Sequence, residues 1–377
     1  MVSRVDRSQF ATWWWTVDRW LLASIGFLMV LGLVLTLAGS PPVAERLGLS
    51  TFHFVNRQVL FLIPTILALL GLSFLSPRHV RRVALVVYAL GMVLIVIALL
   101  YGHEVKGAKR WIFGIQPSEF IKPAFVILAA WGFSEGARRR DVPGTLLAFC
   151  LLPLTVVPLL LQPDFGQTML LALVWAALFF MAGLHWFWIA SLSGVGISGI
   201  LLAYKFVPHV RARIEKFMDP GVSLSASDTF QVDTAIDSFI SGGWFGKGPG
   251  EGTLKTHLPD SHTDFIFAVT GEEFGILVCM GIVGIFAFIV LRGLLLAAKN
   301  EDPFCRFASA GLLLLFGIQS AVNLSVNLHL MPAKGMTLPF ISYGGSSLLS
   351  LSLAMGFLVA VTRKRPRSEI FDRVEHA

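Results

Sequence analysis

The stretch from Ser241 to Gly275 reads SGGWFGKGPGEGTLKTHLPDSHTDFIFAVTGEEFG and places glycines, lysines, histidines and acids in the middle of a very apolar chain. After Glu273 the sequence returns to uninterrupted hydrophobic residues, so the stretch straddles a polar–apolar boundary. Ionisable residues are costly to place at the mouth of a membrane segment, and they therefore indicate a functional site. The stretch predicts both a membrane fold and the region in which its site lies.

The composition is that of an integral membrane protein. Of the 377 residues, 55% are hydrophobic and 14% are charged, whereas soluble domains carry about 25% charged residues. The net charge of +7 indicates basic loops that face anionic lipid, and it does not imply nucleic-acid binding. Cys150, Cys279 and Cys305 lie in or beside apolar segments, so they indicate neither a disulfide framework nor a metal site.

Charge-free runs mark the membrane spans, because a helix needs about 20 apolar residues to cross the hydrocarbon. They predict an all-α protein with ten transmembrane helices in one polytopic domain over residues 1–377. The first run is long enough to span and is interpreted as a retained helix, not a cleaved signal. The spans are expected within residues 19–45, 57–78, 82–104, 117–134, 141–164, 165–204 (two spans that divide near Gly183), 264–291, 307–330 and 344–362.

The basic loops predict the orientation. Ten helices put the clusters at residues 4–19, 78–82, 138–140, 292–306 and 363–373 on one face, which should be cytoplasmic, with both termini. The loop of about residues 205–263 is then extracytoplasmic, and the tail of about 363–377 is cytoplasmic. Long loops translocate largely regardless of charge, and the lysines and arginines of this loop would suit an anionic ligand.

The glycine-rich run from Gly246 to Gly252 contains Lys247 and has the composition of a phosphate cradle. It fails the P-loop pattern, because no Ser or Thr follows the lysine and no strand precedes it. Two interpretations stay open. The run is a flexible turn, or its glycines bring the backbone and Lys247 close to a bulky substrate.

Five ionisable residues surround the predicted start of the eighth span: Asp260, His262, Asp264, Glu272 and Glu273. One acid in a first turn is often only a partner of the helix dipole, an explanation that is weaker for the whole group. Asp264 lies where the loop meets the apolar helix, where partial desolvation would raise its pKa toward that of a general base. Hydrated Mg²⁺ needs only one or two carboxylates, so it is the single cofactor considered, and no metal site is predicted firmly.

Further polar residues are expected near the outer rim. Glu119 and Lys122 share a face of the fourth span, where they either neutralise each other or belong to a site. Arg110 could bind a phosphate bidentately or anchor at headgroups. The glycine-rich segment 334–347 either lines a cavity or packs helices. Other members of this rim are Lys109, Trp111, Asp164 and Gln167.

These residues alone fit a lipid-linked enzyme, a transporter or a flippase. The motifs, however, resemble the SEDS family (shape, elongation, division and sporulation) of polytopic peptidoglycan glycosyltransferases. The motif sequences are closer to those of the family's cell-division branch than to those of its elongation branch. One motif reads LPDSH where LPEAH is more usual. The matching pieces, between Gly107 and Ser347, are GAKRWI, QPSEFIKP, QPDFGQ, SGGWFGKGPGEG, LPDSHTDFIFAVTGEEFG and PAKGMTLPFISYGGSS.

The resemblance implies polymerisation of lipid II into glycan strands at the outer face of the cytoplasmic membrane, at the division septum. It implies that Asp264 is the essential aspartate and that Arg110 and Lys122 are functional cations. The implied partners are a class B penicillin-binding protein, which is a transpeptidase, and other divisome proteins. The remaining candidate substrate-binding residues are Lys109, Trp111, Glu119, Asp164, Gln167, Lys247, His262, Thr263, Glu272, Glu273, Lys334, Ser342 and Ser346.

Other functions stay open. A flippase for lipid II needs a polar path across the full membrane, whereas here only Glu119 and Lys122 lie deep. An elongation polymerase and a non-catalytic divisome scaffold are also possible, while a secondary transporter is disfavoured because the sequence has no inverted repeat of interrupted helices.

Overall fold

The computed structural model describes residues 8–105, 108–139, 141, 143–183, 186–206, 211, 215, 226–258, 260–331 and 335–364. In these residues the chain is mainly helical, and a long helix lies at each of the ten predicted spans. They are α2 (Arg19–Gly39), α4 (His53–Ser73), α5 (Pro77–Tyr101), α6 (Pro117–Arg138), α7 (Gly144–Leu161), α8 (Phe165–Met181), α9 (Trp186–Phe206), α11 (Ile266–Ala298), α12 (Pro303–Asn327) and α13 (Gly345–Thr362).

Length and composition support the membrane assignment. Within the described residues, seven of these helices are long and apolar enough to cross a membrane. Of the other three, α8 is apolar but has 17 residues, α9 has 21 residues, and α6 carries Glu119 and Lys122 within its 22 residues. The prediction of a polytopic all-α fold with about ten helices is confirmed.

The structure adds elements that the sequence did not predict. Helix α1 (Gln9–Thr16) precedes the first span, α3 (Pro41–Arg46) follows it, and α10 (Ala226–Gly242) lies within the long loop, which also holds a 3₁₀ turn at Leu254–Thr256. Strands β1 (His103–Val105) and β2 (Ala108–Trp111) form an antiparallel hairpin.

Helix α6 lies at the centre of the bundle and packs against α5, α7, α8, α12 and α13. Most of its residues are buried, including both members of the Glu119–Lys122 pair. Charges in such surroundings need partners, because removing one member of a buried pair leaves the other uncompensated. The centre of the bundle is therefore polar on one side, and the candidate site begins there.

Helix α11 breaks at Gly275, where φ is 83° and ψ is 173°. Only glycine adopts this conformation readily. A Cβ atom there would lie 2.4 Å from the Trp244 carbonyl oxygen and 2.5 Å from the Gly246 nitrogen. The loop that follows α10 thus folds directly onto the break, and it is fixed there by a hydrogen bond of 2.9 Å from the Ile276 N–H to the Gly243 carbonyl.

Candidate functional site

The first part of the site is a buried charge pair on α6. Lys122 Nζ lies 2.8 Å from Glu119 Oε2, and it also donates to Gln319 Oε1 on α12 at 3.0 Å. Gln167 Nε2 donates to Glu119 Oε1 at 2.7 Å. The structure therefore brings Glu119, Lys122 and Gln167 together. The ion pair is one of the two possibilities that the sequence left open, and the contact with Gln167 was not predicted. The pair is neutral as a unit, and its carboxylate and ammonium are both held in place.

Arg110, on β2, binds the tight turn between α7 and α8. Its Nε donates to the Gln162 carbonyl at 3.0 Å and its Nη2 to the Pro163 carbonyl at 2.5 Å. Its Nη1 is 3.8 Å from Asp164 Oδ1. These contacts hold the guanidinium in place while leaving it partly exposed, so a phosphate could still reach it.

Asp164 is buried at the start of α8, where its side chain accepts from the Gln167 N–H. Burial raises the pKa of Asp164, and the neighbouring Glu119 raises it further, although Arg110 opposes both effects. Two buried side-chain acceptors lie at the end of α7 and in the first turn of α8. Gln162 Oε1 and Gln167 Oε1 accept no hydrogen bond from the described part of the chain. Buried polar atoms are normally satisfied, so these two oxygens are suited to a hydroxyl or amide of a ligand.

The second part of the site is the segment that carries Asp264. Asp264 is half-buried and lies just before α11. Its main-chain carbonyl accepts from Asn327 Nδ2 at 2.9 Å and from Asn323 Nδ2 at 3.1 Å, while Asn327 Oδ1 accepts from the Ala268 N–H at 3.1 Å. The two asparagines therefore fix the backbone at the start of α11 through the main chain of Asp264.

A ladder of three amides on α12 joins the two parts. Gln319, Asn323 and Asn327 are spaced four residues apart, so they share one helix face. Gln319 Nε2 donates to the Thr337 carbonyl at 3.1 Å and Asn323 Nδ2 donates to the Met336 carbonyl at 2.6 Å. The sequence analysis missed these residues. Their regular spacing of four residues in a largely apolar helix is the signal that could have revealed them.

His262 and Thr263 are tied to the segment before α13. Ser342 Oγ donates to the Thr263 carbonyl at 2.6 Å, and the Tyr343 N–H donates to the His262 carbonyl at 3.0 Å. The His262 ring lies between Phe54 and Tyr343, with centroids 4.4 and 5.4 Å away. Burial lowers the pKa of His262 to about 4, although Asp260 opposes the effect. His262 is therefore neutral at physiological pH.

Glu272 and Glu273 are buried where the glycine-rich loop meets α11. Glu272 Oε1 accepts from the Thr253 and Leu254 N–H groups at 2.8 and 3.0 Å. Lys247 Nζ is 3.3 Å from the same oxygen. Glu273 pairs with Lys255, which is itself buried, and accepts from the Gly250 N–H at 3.0 Å. The structure gives both carboxylates and Lys247 internal partners, which indicates that they hold the loop in its shape.

The remaining candidate residues are spread around these parts. Lys109 and Trp111 are exposed on β2. Ser346 Oγ, at the start of α13, accepts from the Gln116 N–H at 3.2 Å. Lys334 lies outside the described residues. In the residues that the structure describes, no three His, Cys, Asp or Glu side chains form a group that could hold a metal ion.

The chain was compared with known proteins. The family model of a cell cycle protein, named for FtsW, RodA and SpoVE, matches residues 19–367. A probable peptidoglycan glycosyltransferase FtsW from Caulobacter vibrioides is 46% identical over 97% of this chain and 94% of its own length. The corresponding FtsW from Alkalilimnicola ehrlichii is 33% identical over 98% of each chain.

Solved structures give the same result. A chain of a peptidoglycan synthase complex, solved for the coordination of polymerization and crosslinking, aligns with a TM-score of 0.75 and 27% identity over 92% of this chain and 97% of its own. The rod shape determining protein RodA from Thermus thermophilus aligns with a TM-score of 0.68 and 26% identity over 94% of this chain and 99% of its own. The resemblance seen in the motifs is confirmed, and this protein belongs to the cell cycle protein family of FtsW, RodA and SpoVE.

Proposed function

We propose that this protein is a peptidoglycan glycosyltransferase that polymerises lipid II into glycan strands during cell division. The observation that carries the proposal is the amide ladder of α12, which connects the backbone of Asp264 with the Lys122–Glu119 pair. The segment that carries Asp264 and the Lys122 side chain are thereby held in one frame. The names of its FtsW relatives support the same activity.

Asp264 is proposed as the general base. The acceptor sugar hydroxyl loses its proton as it attacks the anomeric carbon of the donor, and a carboxylate within hydrogen-bond reach accepts that proton. The main chain of Asp264 is anchored by Asn323 and Asn327. Such anchoring lowers the cost of orienting the base. A single displacement would invert the configuration at the donor sugar.

Arg110 and Lys122 are proposed to stabilise the leaving lipid pyrophosphate. Preorganised cations in a site shielded from water stabilise developing negative charge strongly. The side chain of Lys122 is 3% exposed, whereas that of Arg110 is 28% exposed. Arg110 would therefore contact the phosphates directly, while Lys122 supplies the field behind it. If Mg²⁺ takes part, Asp264 is the carboxylate that would contribute a ligand beside water and substrate phosphates.

The site is proposed to face the outer side of the cytoplasmic membrane, with both termini cytoplasmic and the loop of about 205–263 outside. The basic clusters of the sequence support this orientation. A class B penicillin-binding protein is the proposed partner, and other divisome proteins would bring the enzyme to the septum. The likeness to a chain of a peptidoglycan synthase complex supports a crosslinking partner.

The test is polymerisation of labelled lipid II by the purified protein with its cognate penicillin-binding protein, comparing wild type with Asp264→Asn. Asn323 and Asn327 bond the main chain of Asp264, so the substitution leaves the anchoring intact. Loss of a general base typically reduces the rate 10²–10⁴-fold. We expect glycan strands from wild type and at most about 1% of that rate from the variant.

Asp260→Asn is the matched control, because it removes a carboxylate from the same loop, four residues away, and should retain most activity. Equal rates in wild type and Asp264→Asn would remove Asp264 as the base. Absence of polymer from both, with lipid II crossing vesicle membranes, would favour the flippase.

A further inference from the structure

A groove runs along the outside of the bundle between α2 and α4. Its cavity volume is about 430 Å³, within the range of small-molecule sites. Every lining side chain is apolar or glycine, and Val30 and Ile66 on its rims are exposed. The groove therefore opens toward the hydrocarbon and offers only dispersion contacts, as a lipid chain requires.

The groove lies mostly in one half of the membrane. On α2 it runs from Leu22 to Leu33, a rise of about 16 Å at 1.5 Å per residue. That is roughly half of a hydrocarbon core about 30 Å thick. The opposite end of α2 contacts the Asp264 loop, where Ser261 Oγ donates to the Gly39 carbonyl at 3.0 Å. Because α2 reaches its midpoint at Met29, most of the groove lies in the half of the membrane opposite the candidate site.

Two arginines lie about one helical turn beyond the end of the groove. Arg19 precedes Leu22 by three residues, and its guanidinium stacks on Trp14 and Trp15 with centroid distances of 4.9 and 4.7 Å. Arg363 donates to the Ser73 carbonyl at 3.4 Å, and Ser73 follows Leu70 by three residues. Residues three apart share a helix face, so Arg19 continues the groove face of α2. Arg363 lies at the C-terminal end of α4, one turn beyond Leu70, where it also donates to the Phe74 carbonyl and to Thr16 Oγ1.

We propose that this groove binds one anionic phospholipid, with an acyl chain between α2 and α4 and its phosphate between Arg19 and Arg363. The apolar lining selects a chain, and the two arginines select a negative headgroup. A polyprenyl substrate would approach from the opposite leaflet, next to Asp264. The proposal concerns a separate site and does not depend on the catalytic role proposed above.

The test is native mass spectrometry of the full chain released from detergent, titrated with dioleoyl phosphatidylglycerol or dioleoyl phosphatidylcholine. One phosphatidylglycerol should bind at least tenfold more tightly than phosphatidylcholine. Equal affinities for the two lipids would overturn the role of the arginines and with it the proposal.

Gly26→Leu tests the groove itself. Gly26 lines the groove, and a Cβ atom there would have no heavy atom within 4 Å, so a larger side chain can fill the space without a clash. The Gly26→Leu variant should lose the tight binding of one phosphatidylglycerol. Gly281→Leu is the matched control, since Gly281 on α11 also has nothing within 4 Å of a Cβ atom and lies outside the groove. If size-exclusion chromatography shows that Gly26→Leu is misfolded, Ile66→Phe fills the groove from α4.

Arg363→Gln and Arg19→Gln test the headgroup contact. Each should weaken phosphatidylglycerol about fivefold, which corresponds to about 1 kcal/mol per cation near an anionic lipid, and leave phosphatidylcholine unchanged. Arg306→Gln removes an exposed charge outside the groove and should have no effect on either lipid. Wild-type binding by the folded Gly26→Leu and Ile66→Phe variants would show that lipid binds elsewhere, and the proposal would fail.

Discussion

At the scale of single residues, Asn327 has the clearest positioning role. Its amide donates to the Asp264 carbonyl and accepts from the Ala268 N–H, so one side chain fixes both sides of the start of α11. The backbone, and with it the direction of the Asp264 side chain, depends on these two hydrogen bonds.

Asn327→Ala should lower the rate of lipid II polymerisation about tenfold or more with little change in the KM for lipid II, because Asp264 loses its orientation but not its chemistry. Leaving the buried carbonyl and N–H unpaired should also cost about 1–3 kcal/mol of stability. Rates at saturating lipid II and thermal unfolding in detergent measure the two effects. Ser320→Ala is the control, since in the described part of the chain its hydroxyl donates to the Phe316 carbonyl of its own helix, at 2.8 Å. A normal rate in Asn327→Ala would contradict the positioning role.

His262 makes stability depend on pH. An unfolded histidine has a pKa near 6.5, and burial lowers the pKa of His262 to about 4. As the pH falls below about 6.5, the unfolded state binds the proton first, so the folded state loses stability until about pH 4. The loss is on the order of 3 kcal/mol, from about 2.5 pKa units at 1.36 kcal/mol each.

His262→Phe should flatten this dependence, because a phenyl ring can occupy the space between Phe54 and Tyr343 without taking up a proton. Measuring the unfolding temperature between pH 7 and pH 4.5 checks this prediction. His79→Phe, which replaces an exposed histidine, should keep the wild-type slope. An unchanged slope in His262→Phe would mean that other groups cause the acid sensitivity.

Sequence spacing was sufficient for some residue contacts and insufficient for others. Glu119 and Lys122 are three residues apart on a helix, and their ion pair follows from that geometry. The partner of Asn327, in contrast, lies 63 residues away along the chain. Amides in membrane helices often serve only helix packing, so no local pattern indicated which carbonyl Asn327 would bind.

At the scale of elements, the break in α11 positions the candidate site. The glycine-rich loop bonds to both sides of Gly275, with the Lys247 N–H donating to the Glu272 carbonyl at 2.9 Å and the Leu277 N–H to the Trp244 carbonyl at 3.3 Å. These hydrogen bonds hold the glycine-rich loop against the break, and they thereby fix the position of Lys247.

Gly275→Ala should destabilise this junction. The positive φ costs about 1–3 kcal/mol for a residue with a side chain, and the added methyl would clash with the Trp244 carbonyl. We expect a lower unfolding temperature and faster proteolysis within the loop. Gly284→Ala is the control, because Gly284 lies in the same helix with nothing within 4 Å of a Cβ atom. Equal proteolysis of the two variants would show that the break does not hold the loop.

The sequence favoured Asp264 as the base by its position alone. It could not show what Glu272 and Glu273, near the start of the same helix, do instead. The difference is in the loop backbone, since Glu272 and Glu273 accept N–H groups from residues 250–255. The β1–β2 hairpin was also missed, because its strands have only three and four residues.

At the scale of the whole molecule, one ion pair ties the first span to the eighth. Arg292 binds Asp18 bidentately, with distances of 2.8 and 2.7 Å, and Asp18 also caps α2 by accepting from the Leu21 N–H at 2.9 Å. Burial favours a higher pKa for Asp18, but the hydrogen bonds from Arg292 and Leu21 outweigh it and lower the pKa. The pair therefore stabilises the fold above about pH 4, and this contribution is lost as the pH falls further.

Arg292→Gln should lower stability at pH 7 by about 1–2 kcal/mol, since it leaves the half-buried carboxylate with one partner fewer. The stability of Arg292→Lys should lie between those of wild type and Arg292→Gln, because an ammonium cannot bind both carboxylate oxygens in the same geometry. Arg138→Gln is the control, as the Arg138–Asp302 pair is exposed with a distance of 3.9 Å and such pairs contribute little. Unfolding temperatures compare the three, and equal values for Arg292→Gln and Arg138→Gln would contradict the prediction.

Much of the arrangement of membrane-spanning helices could be predicted from the sequence. Charge-free runs located ten helices because the membrane tolerates few charges, and that rule acts on every span alike. Helices α1, α3 and α10 were missed because they are short or polar, and the same rule carries no information about them. How the spans pack around α6 depends on contacts between distant segments, such as Lys122 with Gln319.

The break at Gly275 also sets how the molecule fits a bilayer. Helix α11 has 33 residues, about 50 Å, whereas residues 276–298 span about 35 Å at 1.5 Å per residue. The longer length would exceed the hydrocarbon core, and the shorter one matches it with a modest tilt. Glu272 and Glu273 then lie just beyond the hydrocarbon edge. In a thicker bilayer, hydrophobic mismatch would draw these carboxylates and the loop they hold toward the lipid, so the shape of the site is coupled to the thickness of the membrane around it.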